Sequence, residues 1–103
     1  MSAFATASAI EAIEPGRWSA TVPDGWQQGR GAFGGLVLGI LARALVAHEA
    51  DATRALRSLT GDVCAPVLPG PVELTVETLR RGGHLSNLEA RMFQNGALVA
   101  RAA

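Results

Sequence analysis

The 103-residue sequence has no net charge, a single cysteine and no apolar run long enough to span a bilayer. Each lack removes a class of function. Nine basic residues balanced by nine acidic ones set up no long-range field toward nucleic acid or an anionic membrane surface. Cys64 has no second cysteine to pair with, so no internal disulfide forms and a reducing, cytoplasmic compartment is the expectation. Met1 to Ile13 lacks a basic leader followed by an apolar core, and Glu11 and Glu14 interrupt any signal-like reading. The one apolar-rich stretch, about 15 residues, falls short of the roughly 20 that a bilayer requires. Neither His48 nor His84 has a metal-ligand partner at suitable spacing, so no metal is expected. Gly29-Arg30-Gly31 with the later Gly34-Gly35 matches neither nucleotide-binding fingerprint, and no cofactor is expected.

What is present is a helix signal of unusual composition. Ala32 to Ala47 opens on a glycine pair and is apolar on nearly every side, with Arg43 its one ionisable residue before the last turn. A surface helix carries a polar face, so this one requires enclosure by other elements. The pattern predicts a helix over Gly35 to His48. The segments after it alternate with period two between turn signals, which predicts an α+β domain with an antiparallel sheet wrapped around one long helix.

The flanking segments fill in that plan. Met1 to Ile13 reads as a short helix or loose arm stopped by Pro15-Gly16, so residues 1–15 are set apart from a single domain over 16–103. Arg17 to Val22 reads as a strand ending at the Pro23-Asp24-Gly25 turn, and Trp26 to Ala32 as a loop over the mouth of the helix. Leu56 to Val63 reads as a strand with Leu59 and Val63 on one face and Ser58, Thr60 and Asp62 on the other. The three prolines between Ala65 and Pro71 end it. Val72, Leu74 and Val76 alternate with Glu73, Thr75 and Glu77, and Arg81-Gly82-Gly83 turns the chain. Leu88, Ala90 and Met92 form the apolar face of the next strand. Asn95-Gly96 is a hairpin signal, and Leu98 to Ala102 reads as an edge strand that is cut short.

Four motifs in order, Phe33-Gly34-Gly35, Arg57 to Pro66 (RSLTGDVCAP), Val76 to Gly82 (VETLRRG) and Gln94-Asn95-Gly96, resemble the N-terminal half of the acyl-CoA thioesterase II family, the TesB-like double-hotdog thioesterases. The resemblance runs from about Gly16 to Ala103. It implies a hotdog fold, an acyl-CoA substrate, hydrolysis to free acid and CoA, and a second hotdog domain as partner, in the same polypeptide or in an oligomer. In that family an aspartate on the second half's helix, with a threonine or serine and a glutamine from its strands, holds the attacking water. The corresponding places in this half fall near Ala42 and Leu56, which handle no proton. A histidine often found before the family's Ser-Leu-Thr stretch is Arg57 here.

Several residues carry candidate chemistry. Thioester hydrolysis needs donors for a developing oxyanion, and the Gly35 backbone N–H at a helix start supplies one, while Gly34 leaves room for approach. The alternative is that these glycines serve only close packing. Asp62 is a candidate general base or water-orienting group, against the alternative of a solvent-facing partner for an arginine. Phe33 lines an acyl pocket or staples the helix entry. Thr60 and Arg81 are candidate substrate contacts, Arg81 through the phosphates of CoA. Cys64 is read as a small apolar residue rather than a nucleophile. Two functions follow: an acyl-CoA thioesterase of which this is the N-terminal hotdog, or a non-catalytic hotdog module for dimerisation or acyl-group binding. A hotdog dehydratase would need an Asp and His pair in the loop and helix that this sequence lacks.

Overall fold

A computed structural model describes residues 3–29 and 31–103. Met1 and Ser2, at the head of the expected arm, and Arg30, in the glycine stretch weighed against phosphate binding, lie outside the described residues. The elements run α1 (Ala3–Ala7), β1 (Glu11–Glu14), β2 (Arg17–Val22), β3 (Gln27–Gln28), β4 (Gly31–Ala32), α2 (Gly34–His48), β5 (Gly61–Val63), β6 (Gly70–Arg81), β7 (Ser86–Gln94) and β8 (Ala97–Ala102). Six of the strands form one antiparallel sheet in the order β1-β2-β6-β7-β8-β5, and β3 pairs with β4 in a small hairpin.

The sheet is built by local signals that agree with one another. Asn95 at φ 53° and Gly96 at φ 80° take the two left-handed positions of a tight β7–β8 hairpin, which an asparagine-glycine pair tolerates best. Val72, Leu74 and Val76 of β6 turn inward, as do Ala90 and Met92 of β7 and Ala100 and Ala102 of β8. Against this face lie Leu36, Val37, Ile40, Leu41, Ala44 and Leu45 of α2, whose spacing repeats with the helical period and makes one continuous buried stripe. Each fully buried aliphatic side chain contributes about 1.5–3 kcal/mol. Small residues set the distance of approach: Ala90, Ala100 and Ala102 are fully buried, and a Cβ on Gly61 would stand 2.5 Å from Leu38 and 2.9 Å from the Arg101 carbonyl oxygen.

The expected α+β architecture, an antiparallel sheet laid over one long helix, is present, and three details of the sequence reading are revised. The sheet covers one side of helix α2. Its other half carries Gly35, Leu38, Gly39, Ala42, Arg43 and Val46, all half-buried or exposed, with Val46 58 % exposed. Part of this half is covered by α1, where the Phe4 ring rests over Gly39 and the Arg43 Nε donates to the Ser8 hydroxyl at 2.8 Å. Residues Glu11–Glu14, read as part of an arm, form an edge strand. Pro15-Gly16 does not end structure but turns it, with Gly16 at φ 80° as in a type II turn. The strand expected over Leu56 to Val63 is regular only from Gly61, because its neighbour β8 offers no residues alongside 56–59. Finally, β8 is not an edge: β7 and β5 flank it, and the sheet edges are β1 and β5.

No helix among the described residues is long and apolar enough to cross a membrane. Leu41 has no exposed surface, so Leu41→Asp places an unpaired charge under the sheet. A loss above about 4 kcal/mol is expected. Urea unfolding followed by far-UV circular dichroism should find the variant unfolded, whereas a cooperative, near-native transition would contradict the packing described.

Candidate functional site

The start of α2 is held by three short segments converging on it. Phe33 precedes the helix with extended backbone (φ −50°, ψ 128°) and has no side chain that caps. Its own N–H donates to the Trp26 carbonyl at 2.7 Å, and its carbonyl accepts from Leu36 and Val37 at 3.0 and 3.2 Å. A helix leaves its first four N–H groups without intrahelical partners. Two of those four are thereby satisfied, and the N–H groups of Gly34 and Gly35 have no partner among the described residues. A Cβ on Gly34 would meet nothing within 4 Å, whereas one on Gly35 would stand 2.5 Å from the Phe33 ring. The ring therefore lies over Gly35, and the approach to the helix start is open at Gly34.

The floor beneath is fixed by main-chain and amide contacts. The Ala32 N–H donates to the Val67 carbonyl at 2.8 Å, and a Cβ on Gly31 would stand 3.0 Å from Pro66 Cα, which ties the β3–β4 hairpin to the proline exit. Buried Gln94 then holds that exit from the other side, accepting from the Leu68 N–H at 2.9 Å and donating to its carbonyl at 2.7 Å. A donor pair fixed in advance of reaction stabilises developing charge without reorganising.

The other sequence candidates lie elsewhere. In the ladders Asp62 stands opposite Arg101, and Arg101 opposite Arg91. These residues share the solvent face of the sheet, away from α2. The Asp62 side chain is 70 % exposed and accepts from Arg101 at 3.2 Å. Asp62 thus takes the place weighed against catalysis, a strand carboxylate paired with an arginine. Thr60 continues the same face, its backbone exchanging two hydrogen bonds with Ala103. Arg81 pairs with Glu49 just past the end of α2. A 15-residue helix, ~22 Å long, separates it from Gly34. The structure groups Phe33, Gly34 and Gly35, and leaves Thr60, Asp62 and Arg81 outside that group.

Sequence reasoning missed the polar cluster at the far end of the helix. Arg81 donates to Glu49, and the Glu49 carboxylate also accepts from the Asp51 N–H at 3.1 Å. Arg54 donates to the Ser86 hydroxyl at 2.8 Å. The Arg81 guanidinium, then Ser86 and the Asp51 amide, hold the Glu49 carboxyl at about 2, down from 4.5. Its residues come from two stretches far apart in sequence, 49–54 and 81–86, and no local spacing signals them.

The sequence profile of the acyl-CoA thioesterase N-terminal domain matches residues 22–103. No curated protein sequence matches the chain. Among solved structures, a candidate thioesterase II from Thermobifida fusca YX superposes with a TM-score of 0.91 at 22 % identity, over 99 % of this chain and 37 % of that one. A conserved protein of unknown function with a hot dog fold from Alicyclobacillus acidocaldarius gives 0.85 at 22 % identity, over 99 % of this chain and 38 % of that one. The E. coli PaaI protein from the phenylacetic acid degradation operon gives 0.76 at 16 % identity, over 91 % and 73 %. The chain therefore spans little more than a third of the first two proteins.

A carboxyl whose pKa falls on folding contributes stability above its unfolded value, and that contribution is lost as pH falls through the folded value. For Glu49 the window runs from about 4.5 down to about 2. Glu49→Gln is expected to be less stable than the parent at pH 7, with the gap closing across that window. Urea midpoints between pH 2 and pH 7 check this, and a pH-independent gap would contradict the assignment.

Proposed function

The chain belongs to the acyl-CoA thioesterase N-terminal domain family, and from that premise we propose that it is the first hotdog of an acyl-CoA thioesterase. The observation that carries the reading is the Gly34-Gly35 amide pair at the start of α2, without a partner among the described residues and beside an open approach. In this reading the thioester carbonyl oxygen accepts from those N–H groups, which strengthen their hold as negative charge develops. Phe33, 43 % exposed, supplies an apolar wall for the acyl group. Water adds to the carbonyl carbon, the carbon–sulfur bond breaks, and the water's protons end on the CoA sulfur and, until it ionises, the released acid.

The group that orients that water belongs to a second hotdog. Ala42 lies half-buried on the uncovered side of α2 and Leu56 is exposed beside β5, and neither side chain moves a proton. Asp62 faces away. The second hotdog, in the same polypeptide or as an oligomer partner, has an apolar surface to cover: Leu38, Ala42 and Val46 on α2, continued by Val63 at the β5 edge, 45 % exposed. Ala42 and Leu56 also favour a second reading, a non-catalytic hotdog that binds acyl groups or mediates assembly.

The two readings separate by experiment. Free CoA release, followed with a thiol reagent, is expected near the uncatalysed rate for this chain alone and well above it when a catalytic second hotdog is joined or co-expressed. In that active assembly Gly34→Pro, which removes one donor, should lower kcat by about 100-fold. No turnover in any such assembly would favour the non-catalytic module. Light scattering should find the lone chain associated rather than monomeric, and a stable monomer would count against the apolar surface as an interface.

A further inference from the structure

Between the end of β7 and the start of α2 lies a strip of chain, residues 66–69, with few hydrogen bonds of its own. Pro66 and Pro69 have no N–H to give. Leu68 makes both of its main-chain hydrogen bonds with one side chain: its N–H donates to Gln94 Oε1 at 2.9 Å, and its carbonyl accepts from Gln94 Nε2 at 2.7 Å. The Val67 carbonyl accepts from the Ala32 N–H at 2.8 Å. Residues 66–69 make no other main-chain hydrogen bond among the described residues.

Gln94 stands in for a neighbouring strand. It is the last residue of β7, 8 % exposed, and its amide offers Leu68 one donor and one acceptor, as facing residues of an antiparallel pair do. The buried Val67 side chain also anchors the strip, but burial of an apolar group is non-directional. The amide sets how high the strip stands over the sheet and how it is turned. That height passes to the helix start through close main-chain contacts. A Cβ on Gly31 would stand 3.0 Å from Pro66 Cα and 3.1 Å from the Val67 nitrogen, so the two backbones touch with no side chain between them. Ala32 follows, held by Val67, then Phe33, held by Trp26, and then Gly34 and Gly35. Contacts as tight as these transmit a displacement instead of absorbing it. A reacting group has to be held within about 0.5 Å of its productive place.

We propose that Gln94 is a positioning residue for the Gly34-Gly35 amide pair, acting through Leu68, Val67 and Ala32. The proposal rests on the reading of that pair as donors to the thioester carbonyl oxygen. It also gives a reason for glutamine at this position: an amide donates to and accepts from Leu68 at once, which neither an ionised carboxylate nor an apolar side chain does.

Gln94→Glu keeps the shape and separates the two bonds. Ionised, the new carboxylate accepts from the Leu68 N–H but opposes the Leu68 carbonyl; protonated, the form that burial favours, its O–H donates to that carbonyl and restores both bonds. Gln94→Met loses both bonds at every pH. The test reads the amide NMR signals of Ala32, Gly34 and Gly35 and the exchange of the Ala32 N–H in the whole 103-residue chain, each against the parent at pH 5 and pH 8. At pH 8 the Gln94→Glu signals should be displaced and Ala32 should exchange about tenfold faster. At pH 5 both should return to the parent's values, whereas Gln94→Met should differ at both. In an assembly with turnover, Gln94→Glu should lower kcat about tenfold at pH 8 with KM unchanged, and recover at pH 5. Parent-like Gly34 and Gly35 signals in Gln94→Glu at pH 8 would overturn the proposal even if the urea midpoint fell, because Gln94 would then only stabilise the fold. Unfolding of both variants at pH 8, or an unchanged kcat in an active assembly, would overturn it equally. Displaced signals rescued at pH 5, with no turnover in any assembly, would uphold the positioning and remove the thioesterase reading instead.

Discussion

The close seating of α2 on the sheet is the contact from which the rest of this structure follows. It is permitted by side chains that are nearly absent: Ala90, Ala100 and Ala102 under the helix, and Gly61 where β5 meets Leu38. Larger residues there would lift the helix and open voids along the whole stripe from Leu36 to Leu45, since packed interiors accommodate added volume poorly. That seating also fixes where the helix begins, and so where the Gly34 and Gly35 amides point.

One helix cannot satisfy both the sheet and the solvent when its far side is also apolar. The Phe4 ring, edge-on to Trp26 with centroids 6.0 Å apart, and the Ser8–Arg43 hydrogen bond cover part of that side. The remainder, from Leu38 to Val46, stays open beside the β5 edge. An apolar outer side of this kind is the surface that the proposed second hotdog would cover.

Much of this was legible because local signals and tertiary packing coincide. Arg17 to Val22 is a strand with the bounds read from its sequence, α2 starts within one residue of its expected glycine, and Asn95-Gly96 makes its turn. Alternation also placed Ser58, Thr60 and Asp62 together on one face, which is the solvent face. Where signals fail, the reason is physical. All four residues of β1 are exposed, so no alternation marks them as strand. The apolar far side of α2 gave a demand for cover without naming what covers it. The Glu49 cluster and the Gln94 clamp join residues far apart in sequence, and only the folded register brings them together.

The solvent face of the sheet carries a row of ion pairs. Arg17 reaches Glu73 at 2.5 Å near one edge, and Arg101 binds both Glu89 and Asp62 near the other, with Arg91 beside Glu89. Stacking a second layer there would strip water from these charges, a cost that ion pairing seldom recovers. That cost weighs against a second layer on the back of the sheet and leaves its edges and the uncovered side of the helix as the cheaper surfaces to bury.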